Sequence, residues 1–405
     1  MRRNAKTMSP LLLAIAVLSV SLQDIAAGAI SPAIASMAAA YPDHSISFIQ
    51  MVVTLPTLAI VLISPIYGWL SNKIQPRKVI IFGLFLFIIA GTFPVFLDNI
   101  YLIMFFRLIL GCGSGITITA SLAIIPVFYE GEKRDSMVGF NTAMGSLGCI
   151  FMQMLGGYFC EINWHYSFLA YLIGLFSLIM VVLFLPDIPM SLQQQSGKRE
   201  KRIYACVPKS VYGLALLFAV GMTFITFLST NISIMVEGEK IGNPANTGIA
   251  LSLYTVGSAI SSSLFGKLKK HLRIFVIPFG WILTAVGYFA LSHVNSISSV
   301  YLSILLSGLG MGLVVSSYFR RVSEITELPY VAFAVSMIAT ANGLGNFIHP
   351  TVVALISKMI GTSAYGRMAI SIAAYALFII GAATLCIYAL NTVKEKADQK
   401  LKDSN

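Results

Sequence analysis

Residues 107–115 read Arg-Leu-Ile-Leu-Gly-Cys-Gly-Ser-Gly, and residues 304–312 read Ile-Leu-Leu-Ser-Gly-Leu-Gly-Met-Gly. Three glycines, each two positions from the next, therefore occur twice in the chain, the second set beginning at Gly308 instead of Gly111. Other pairs recur at the same offset or at one residue more: Gly148 with Gly345, and Gly68-x-Leu70 with Gly266-x-Leu268. Small residues let neighbouring helices approach closely, so this recurrence predicts two similar helical bundles.

The composition indicates that these bundles lie in a membrane. Of the 405 residues, 57% are hydrophobic and 11% charged, and the mean hydropathy is +0.84. A soluble domain carries about 25% charged residues, and about 20 apolar residues form a helix that crosses a bilayer. We predict twelve such spans, at 10–39, 48–70, 79–97, 100–128, 137–159, 165–186, 211–235, 246–266, 273–293, 298–319, 330–357 and 368–391. The predicted fold is all-α integral membrane, with two pseudo-symmetric six-helix bundles.

A polar stretch that holds three consecutive glutamines and a run of cations divides the spans six and six. Its composition is that of a linker. We therefore predict an N-terminal bundle at 1–186, a cytoplasmic linker at 187–210, a C-terminal bundle at 211–393 and a cytoplasmic tail at 394–405.

The cations indicate the orientation. All but four of the 27 lysines and arginines fall in segments predicted to lie on one side, and the exceptions are Arg107, Lys240, Lys358 and Arg367. The positive-inside rule places these segments and both termini in the cytoplasm of a multi-pass cell-membrane protein. The net charge of +11 is spread over short segments, so we predict contact with membrane lipids and no nucleic-acid partner.

Several motifs resemble those of the major facilitator superfamily. Residues 68–78 follow its G-x-L-x-D-R/K-x-G-R-R/K loop at Gly68, Leu70, Lys73, Arg77 and Lys78, whereas Asn72, Gln75 and Pro76 depart from it. Arg107-x-x-x-Gly111-x-Gly113 matches a pattern of the fourth span, and Gly156-Gly157 retains the end of the antiporter-associated G-P-x-x-G-G.

The resemblance, closest to the drug/proton antiporter branch with degenerate motifs, implies a transporter that works by alternating access. Because two bundles can form a cavity without a partner, we predict a monomer. It makes Gly68, Asn72, Arg77 and Lys78 a conformational loop. In the family, an Asp at the position of Asn72 helps to latch the cytoplasmic side.

Two charged residues lie deep inside predicted spans, away from the span ends. Asp24 falls near mid-bilayer in the first span and Arg107 in the fourth, where an ionisable group is costly and usually faces a partner or a cavity. We predict Asp24 as a proton-coupling residue whose protonation releases Arg107, itself a cavity residue. The alternative is a static ion pair that joins two helices.

Other polar residues inside the spans are candidates for substrate binding in the cavity, or else for hydrogen bonds between helices. They are Gln153, Asn231, Asn342, Asn346 and His349. His349 precedes Pro350, which is expected to bend the eleventh span.

The predicted function is secondary active transport of a small molecule, with protons as the coupling partner and efflux of an amphipathic compound as the preferred direction. Uptake or exchange of a metabolite or organic anion, with Arg107 as anion ligand, is the main alternative. A membrane sensor and an integral membrane enzyme are further alternatives. The five histidines are scattered and no nucleotide-binding loop is present, so we predict no catalytic residue, no metal site and no cofactor.

Overall fold

The computed structural model describes residues 9–23, 26–70, 74–187, 207–272, 275–327, 330–361 and 364–403. Every regular element in these ranges is a helix. The α-helices are α1 (Pro10–Ser19), α2 (Ile34–Ala40), α3 (Ile46–Leu70), α4 (Pro76–Thr92), α5 (Ile100–Ala123), α6 (Ile125–Phe128), α7 (Gly131–Ile162), α8 (Ile173–Phe184), α9 (Lys209–Gly238), α10 (Pro244–Leu272), α11 (Val276–Leu291), α12 (Ile297–Ile325), α13 (Val331–Ile360) and α14 (Arg367–Asp403). The 3-10 helices are Val20–Gln23, Ala26–Ala33, Phe93–Phe96 and Trp164–Leu172.

The described helices confirm an all-α membrane fold. Nine of them are long and apolar enough to cross a bilayer, and the bent pair Pro10–Gln23 and Gly28–Ala40 makes a tenth. At the ninth predicted span, α11 is apolar but has only 16 residues, and at the eleventh, α13 has 30 residues. The count of twelve crossings therefore stays a prediction.

The first predicted span, 10–39, is not one continuous α-helix. It forms two arms that are bent by 41°, with 3-10 turns on both sides of the bend. Pro32 lies inside the second 3-10 helix, where it removes one backbone donor. Hydropathy alone does not register such a change of helix type.

The repeated glycines make the same close contacts in both halves. A Cβ on Gly113 would lie 2.8 Å from the carbonyl oxygen of Gly83, and a Cβ on Gly310 would lie 2.8 Å from that of Gly280. Two further contacts recur in the same way. A Cβ on Gly111 would collide with the backbone of Pro56, as one on Gly308 would with that of Tyr254. A Cβ on Gly148 would collide with the backbone of Leu22, as one on Gly345 would with that of Ala219. Because only glycine fits these approaches, the sequence repeat is a repeat of helix packing.

The buried members of each apolar cluster all come from one half of the chain. One cluster draws its buried members from residues 207–380 and includes Phe218 and Trp281, whereas two others draw theirs from residues 17–185. Each half thus has its own core. The exact boundaries of the predicted domains remain a proposal, and most of the predicted linker, 188–206, lies outside the described residues.

The halves meet where α7 packs against α10 and where α3 packs against α13. We call the end of the bundle that carries residues 41–45 the outer end, a label taken from the charge prediction. Hydrogen bonds join the halves from this surface, where the Ser47 and Tyr365 hydroxyl oxygens lie 2.7 Å apart, to the middle, where Cys149 Sγ and Thr255 Oγ1 lie 3.7 Å apart. The outer end is therefore closed.

Candidate functional site

Three buried residues, Gln50, Thr230 and Asn231, hold the outer end of α3 to the second half. Gln50 Nε2 donates to Asn231 Oδ1 at 3.2 Å and to the Thr230 carbonyl at 3.3 Å. Asn231 Oδ1 also accepts from the Gly366 amide at 3.1 Å, and its Nδ2 donates to the Phe227 carbonyl at 3.0 Å. The Asn231 side chain, predicted as a substrate ligand, thus has its bonds within the protein at the closure.

His349 lies beside this group and is completely buried. Its Nε2 and Thr230 Oγ1 are 2.6 Å apart, and its ring centroid is 4.8 Å from that of Phe227. Nδ1 has no hydrogen-bond partner among the described residues. An imidazole with one free nitrogen can bind a ligand or a proton if this region opens.

Asn346 and Asn342 follow on the same face of α13 toward the inner end. Asn346 Oδ1 accepts from Thr226 Oγ1 at 2.7 Å, and its Nδ2 lies 3.4 Å from Asn342 Oδ1. Both asparagines are partly exposed. Of the predicted cavity residues, these two therefore have side chains that the structure leaves partly exposed.

Gln153 lies at the contact between α7 and α10. Its Oε1 accepts from Thr255 Oγ1 at 3.3 Å. Its own carbonyl oxygen would lie 2.5 Å from a Cβ on Gly248, and its side chain packs against Gly28. Gln153 therefore connects the N-terminal half to the second half near the middle of the bundle, beside the contact between Cys149 and Thr255.

Arg107 has its partners within the N-terminal half. Its Nε donates to the Val52 carbonyl at 2.7 Å and its Nη1 to the Tyr171 hydroxyl at 2.5 Å. The side chain is completely buried, and Nη2 has no partner among the described residues. Asp24, the predicted ion-pair partner, lies outside those residues, so the pair itself stays a prediction.

Comparison with known proteins identifies this architecture. The profile described as Major Facilitator Superfamily matches residues 16–238 and 214–404. The chain belongs to this superfamily. It is accordingly a multi-pass membrane transporter and not an enzyme, as its sequence predicts.

Within the superfamily, the chain is similar to the Quinolone resistance protein NorA of Staphylococcus aureus. The two are 21% identical over 342 residues, which cover 82% of this chain and 87% of NorA. It is also 25% identical over 236 residues to the Protein TsgA homolog of Buchnera aphidicola subsp. Schizaphis graminum, covering 58% of this chain and 60% of that protein.

Two solved superfamily structures share the fold. A bacterial homologue of the human lysosomal transporter Spinster, in an inward-facing and occupied conformation, has a TM-score of 0.76 at 14% identity. That match covers 93% of this chain and 96% of the other. A mutant form of the nucleoside transporter NupG has a TM-score of 0.73 at 14% identity, covering 93% of this chain and all of the other chain.

The superfamily's loop motif lies only partly within the described residues. Gly68 belongs to the last turn of α3, whereas Asn72 lies outside the described residues. Arg77 Nη1 contacts Asp187 Oδ1 at 3.0 Å, and Nη2 donates to the Val182 carbonyl at 2.8 Å. Lys78 is exposed. Arg77 therefore joins the start of α4 to the end of α8 inside one half, and the switching role of this loop remains a proposal.

Glu237 is an acidic residue at the outer closure that the sequence does not predict as part of the site. Glu237 Oε2 accepts from Ser36 Oγ at 3.3 Å across the two halves, and Cys160 Sγ lies 3.7 Å from the same oxygen of Ser36. Oε1 of Glu237 is buried without a partner among the described residues. The predicted span ends at 235, but α9 continues to Gly238 and brings Glu237 into the interface.

Proposed function

We propose that this transporter exports a small amphipathic compound in exchange for protons. The observation that carries the proposal is the closed outer end, below which Asn342 and Asn346 stay partly exposed. A carrier that loads from the cytoplasm needs a polar binding surface that is accessible from inside and sealed outside. The similarity to an inward-facing structure supports this assignment of the state.

The choice of an amphipathic compound rests on the chemistry of the site and on a relative. The two asparagines offer uncharged donors and acceptors on α13, a helix whose other residues are mostly apolar, and this combination suits a partly apolar solute. NorA, whose name refers to quinolone resistance, aligns with most of this chain. We extend from it only the compound class, not a named substrate.

The coupling proposal rests on Asp24, because an acid inside a span can bind and release a proton during transport. In our proposal its protonation state biases the two openings, and Arg107 responds to it. We also propose a monomer in the cell membrane, with both termini cytoplasmic and its inner cations against anionic lipid.

Uptake or exchange of an organic anion is the second candidate, and it requires Arg107 as the anion ligand. The guanidinium is completely buried and already donates to Val52 and Tyr171. This arrangement favours a structural role in the N-terminal half over contact with a substrate.

The experiment uses inside-out vesicles whose membrane contains the full-length protein. A fluorescent quinolone is added outside the vesicles, and a proton gradient is imposed across their membrane. Export predicts uptake into these vesicles that stops when the gradient is dissipated. Asp24→Asn should abolish the dependence on the gradient, Asp24→Glu should retain it, and Asp43→Asn at the exposed outer loop is the matched control. If Asp24→Asn keeps the full dependence on the pH gradient, the assignment of coupling to Asp24 is wrong.

A further inference from the structure

A basic pocket lies at the inner end of the second half, away from the contact between the halves. It is a half-open pocket with a cavity volume of about 50 Å³ between α10, α11, α12 and α14. Its polar lining consists of Lys269, Ser317, Arg320, Arg321, Glu324 and Tyr388. Three cations thus surround one carboxylate, which leaves the pocket with an excess of positive charge.

The contacts in the pocket fix the directions of these cations. Glu324 Oε1 accepts from Lys269 Nζ at 2.5 Å and from Arg320 Nε at 2.8 Å, so one carboxylate oxygen positions two cations. Arg321 donates to the Tyr388 hydroxyl. The remaining guanidinium N–H groups of both arginines are donors that suit an anion with several oxygens.

A buried hydroxyl adds an independent observation. Ser317 lines the pocket and only 5% of its surface is exposed, yet its Oγ has no hydrogen-bond partner among the described residues. A buried polar atom usually has a partner. An anion that enters the pocket would supply an acceptor for this hydroxyl.

The internal repeat provides no charged counterpart of the α12 part of this pocket in the N-terminal half. Shifting the four α12 residues of the pocket back by the offset that relates Gly308 to Gly111 gives apolar residues at the end of α5, in the bend after it and in α6. The positions of Ser317, Arg320, Arg321 and Glu324 correspond to Ala120, Ala123, Ile124 and Val127. The charged lining is therefore particular to the second half, where α12 continues as one helix to Ile325.

We propose that this pocket binds the phosphate group of an anionic membrane lipid. Arginine forks match phosphate oxygens, and basic pockets between helices at the cytoplasmic side are suited to lipid headgroups. Exposed apolar side chains on the same helices, Leu264 and Ile387, provide a surface for the acyl chains. Free phosphate shares the headgroup chemistry but gains nothing from that surface.

The test titrates the purified full-length chain in detergent and follows its thermal unfolding. Dioctanoyl-phosphatidylglycerol, dioctanoyl-phosphatidylcholine and inorganic phosphate are the three ligands. We expect phosphatidylglycerol to raise the melting temperature at concentrations at least about tenfold below those of the other two, because ligand binding to the folded state stabilises it. Equal stabilisation by inorganic phosphate would overturn the assignment to a lipid.

Charge variants then locate the effect. Arg321→Gln and Arg320→Gln should each raise the half-saturating concentration of phosphatidylglycerol about tenfold, as expected for the loss of charge-assisted bonds. Arg134→Gln, an exposed cation at the inner end of the other half, is the control and should change nothing. Glu324→Gln should lower the half-saturating concentration, because it removes the competing carboxylate.

The opposite direction expected for Glu324→Gln keeps the test decisive if an arginine variant folds poorly, because a folding defect does not tighten binding. Equal weakening of phosphatidylglycerol binding by Arg134→Gln and Arg321→Gln would show a general effect of inner-surface charge. It would overturn the proposal that the lipid binds in this pocket.

Discussion

The outer closure offers the sharpest test of alternating access in this chain, through the variant Gln50→Leu. Leucine keeps most of the volume but removes both hydrogen bonds from Gln50 to the second half. Each is expected to contribute about 0.5–1.5 kcal/mol net. Oε1 of Gln50 is buried and has no hydrogen-bond partner in the described part of the chain, so its removal relieves a desolvation cost and offsets part of the lost bonding energy. The closed state should therefore weaken by about 1–2 kcal/mol.

A change of this size alters the ratio of open to closed molecules about five- to thirtyfold. Cys160 reports that ratio, because it is 6% exposed at the closure and bonded to Ser36 of the outer arm. In a background without the other cysteines, an impermeant maleimide added from outside should label Cys160 faster in Gln50→Leu by the same factor, provided that reclosing outpaces labelling.

Gln23→Leu is the matched control. Gln23 is also completely buried, and its Oε1 has no partner within the described ranges, but its Nε2 donates to Ser177 within the same half at 2.6 Å. It should therefore leave the labelling rate of Cys160 unchanged. Equal labelling rates in Gln50→Leu and the parent, or equal acceleration in both variants, would refute the assignment of Gln50 to the closure.

Three further changes test neighbouring parts of the site. Gly248→Val should reduce transport more than about tenfold while the protein still folds, because the new Cβ meets a carbonyl of α7 at 2.5 Å and blocks outer closure; Gly213→Val, with nothing within 4 Å, is the control. Arg107→Gln should lower the free energy of unfolding by about 2–3 kcal/mol, measured by chemical denaturation, because two buried acceptors lose a charged donor. Glu237→Gln should slow the labelling of Cys160 at neutral pH, since a neutral amide removes the charge while remaining able to bond to the serine on the outer arm; unchanged labelling would separate this carboxylate from the closure.

The repeat and the membrane fold could be predicted because both depend on local properties of the sequence. A glycine at a close helix crossing is required by the backbone that faces it, and the same requirement recurs in the second half at Gly310 as at Gly113. The bend in the first span was missed because hydropathy does not distinguish an α-helix from a 3-10 helix, although Pro32 was a visible signal.

The closure itself could not be derived from the sequence. Gln50 and Asn231 are 181 positions apart, and nothing local to either residue indicates the other. Glu237 was missed for a simpler reason, because the apolar pattern ends two residues before it while the helix continues. The asparagines at 342 and 346 were predicted as cavity residues, and the structure gives them partial exposure, but substrate contact stays a prediction.

The distribution of polar and apolar contacts explains why the two halves can separate while each stays intact. Inside the second half, Phe218 and Trp281 are buried in a continuous apolar core, and exposing such side chains costs about 25 cal/mol for each Å². Between the halves, Gln50 and Asn231 exchange protein hydrogen bonds for bonds to water when the outer end opens, at about 0.5–1.5 kcal/mol each. The polar part of the cost of opening is therefore a few kcal/mol, which is comparable to the roughly 5.5 kcal/mol of differential binding that reverses a two-state equilibrium from 1:99 to 99:1. A substrate or a proton can supply a difference of that order, whereas neither could disrupt the core of a half.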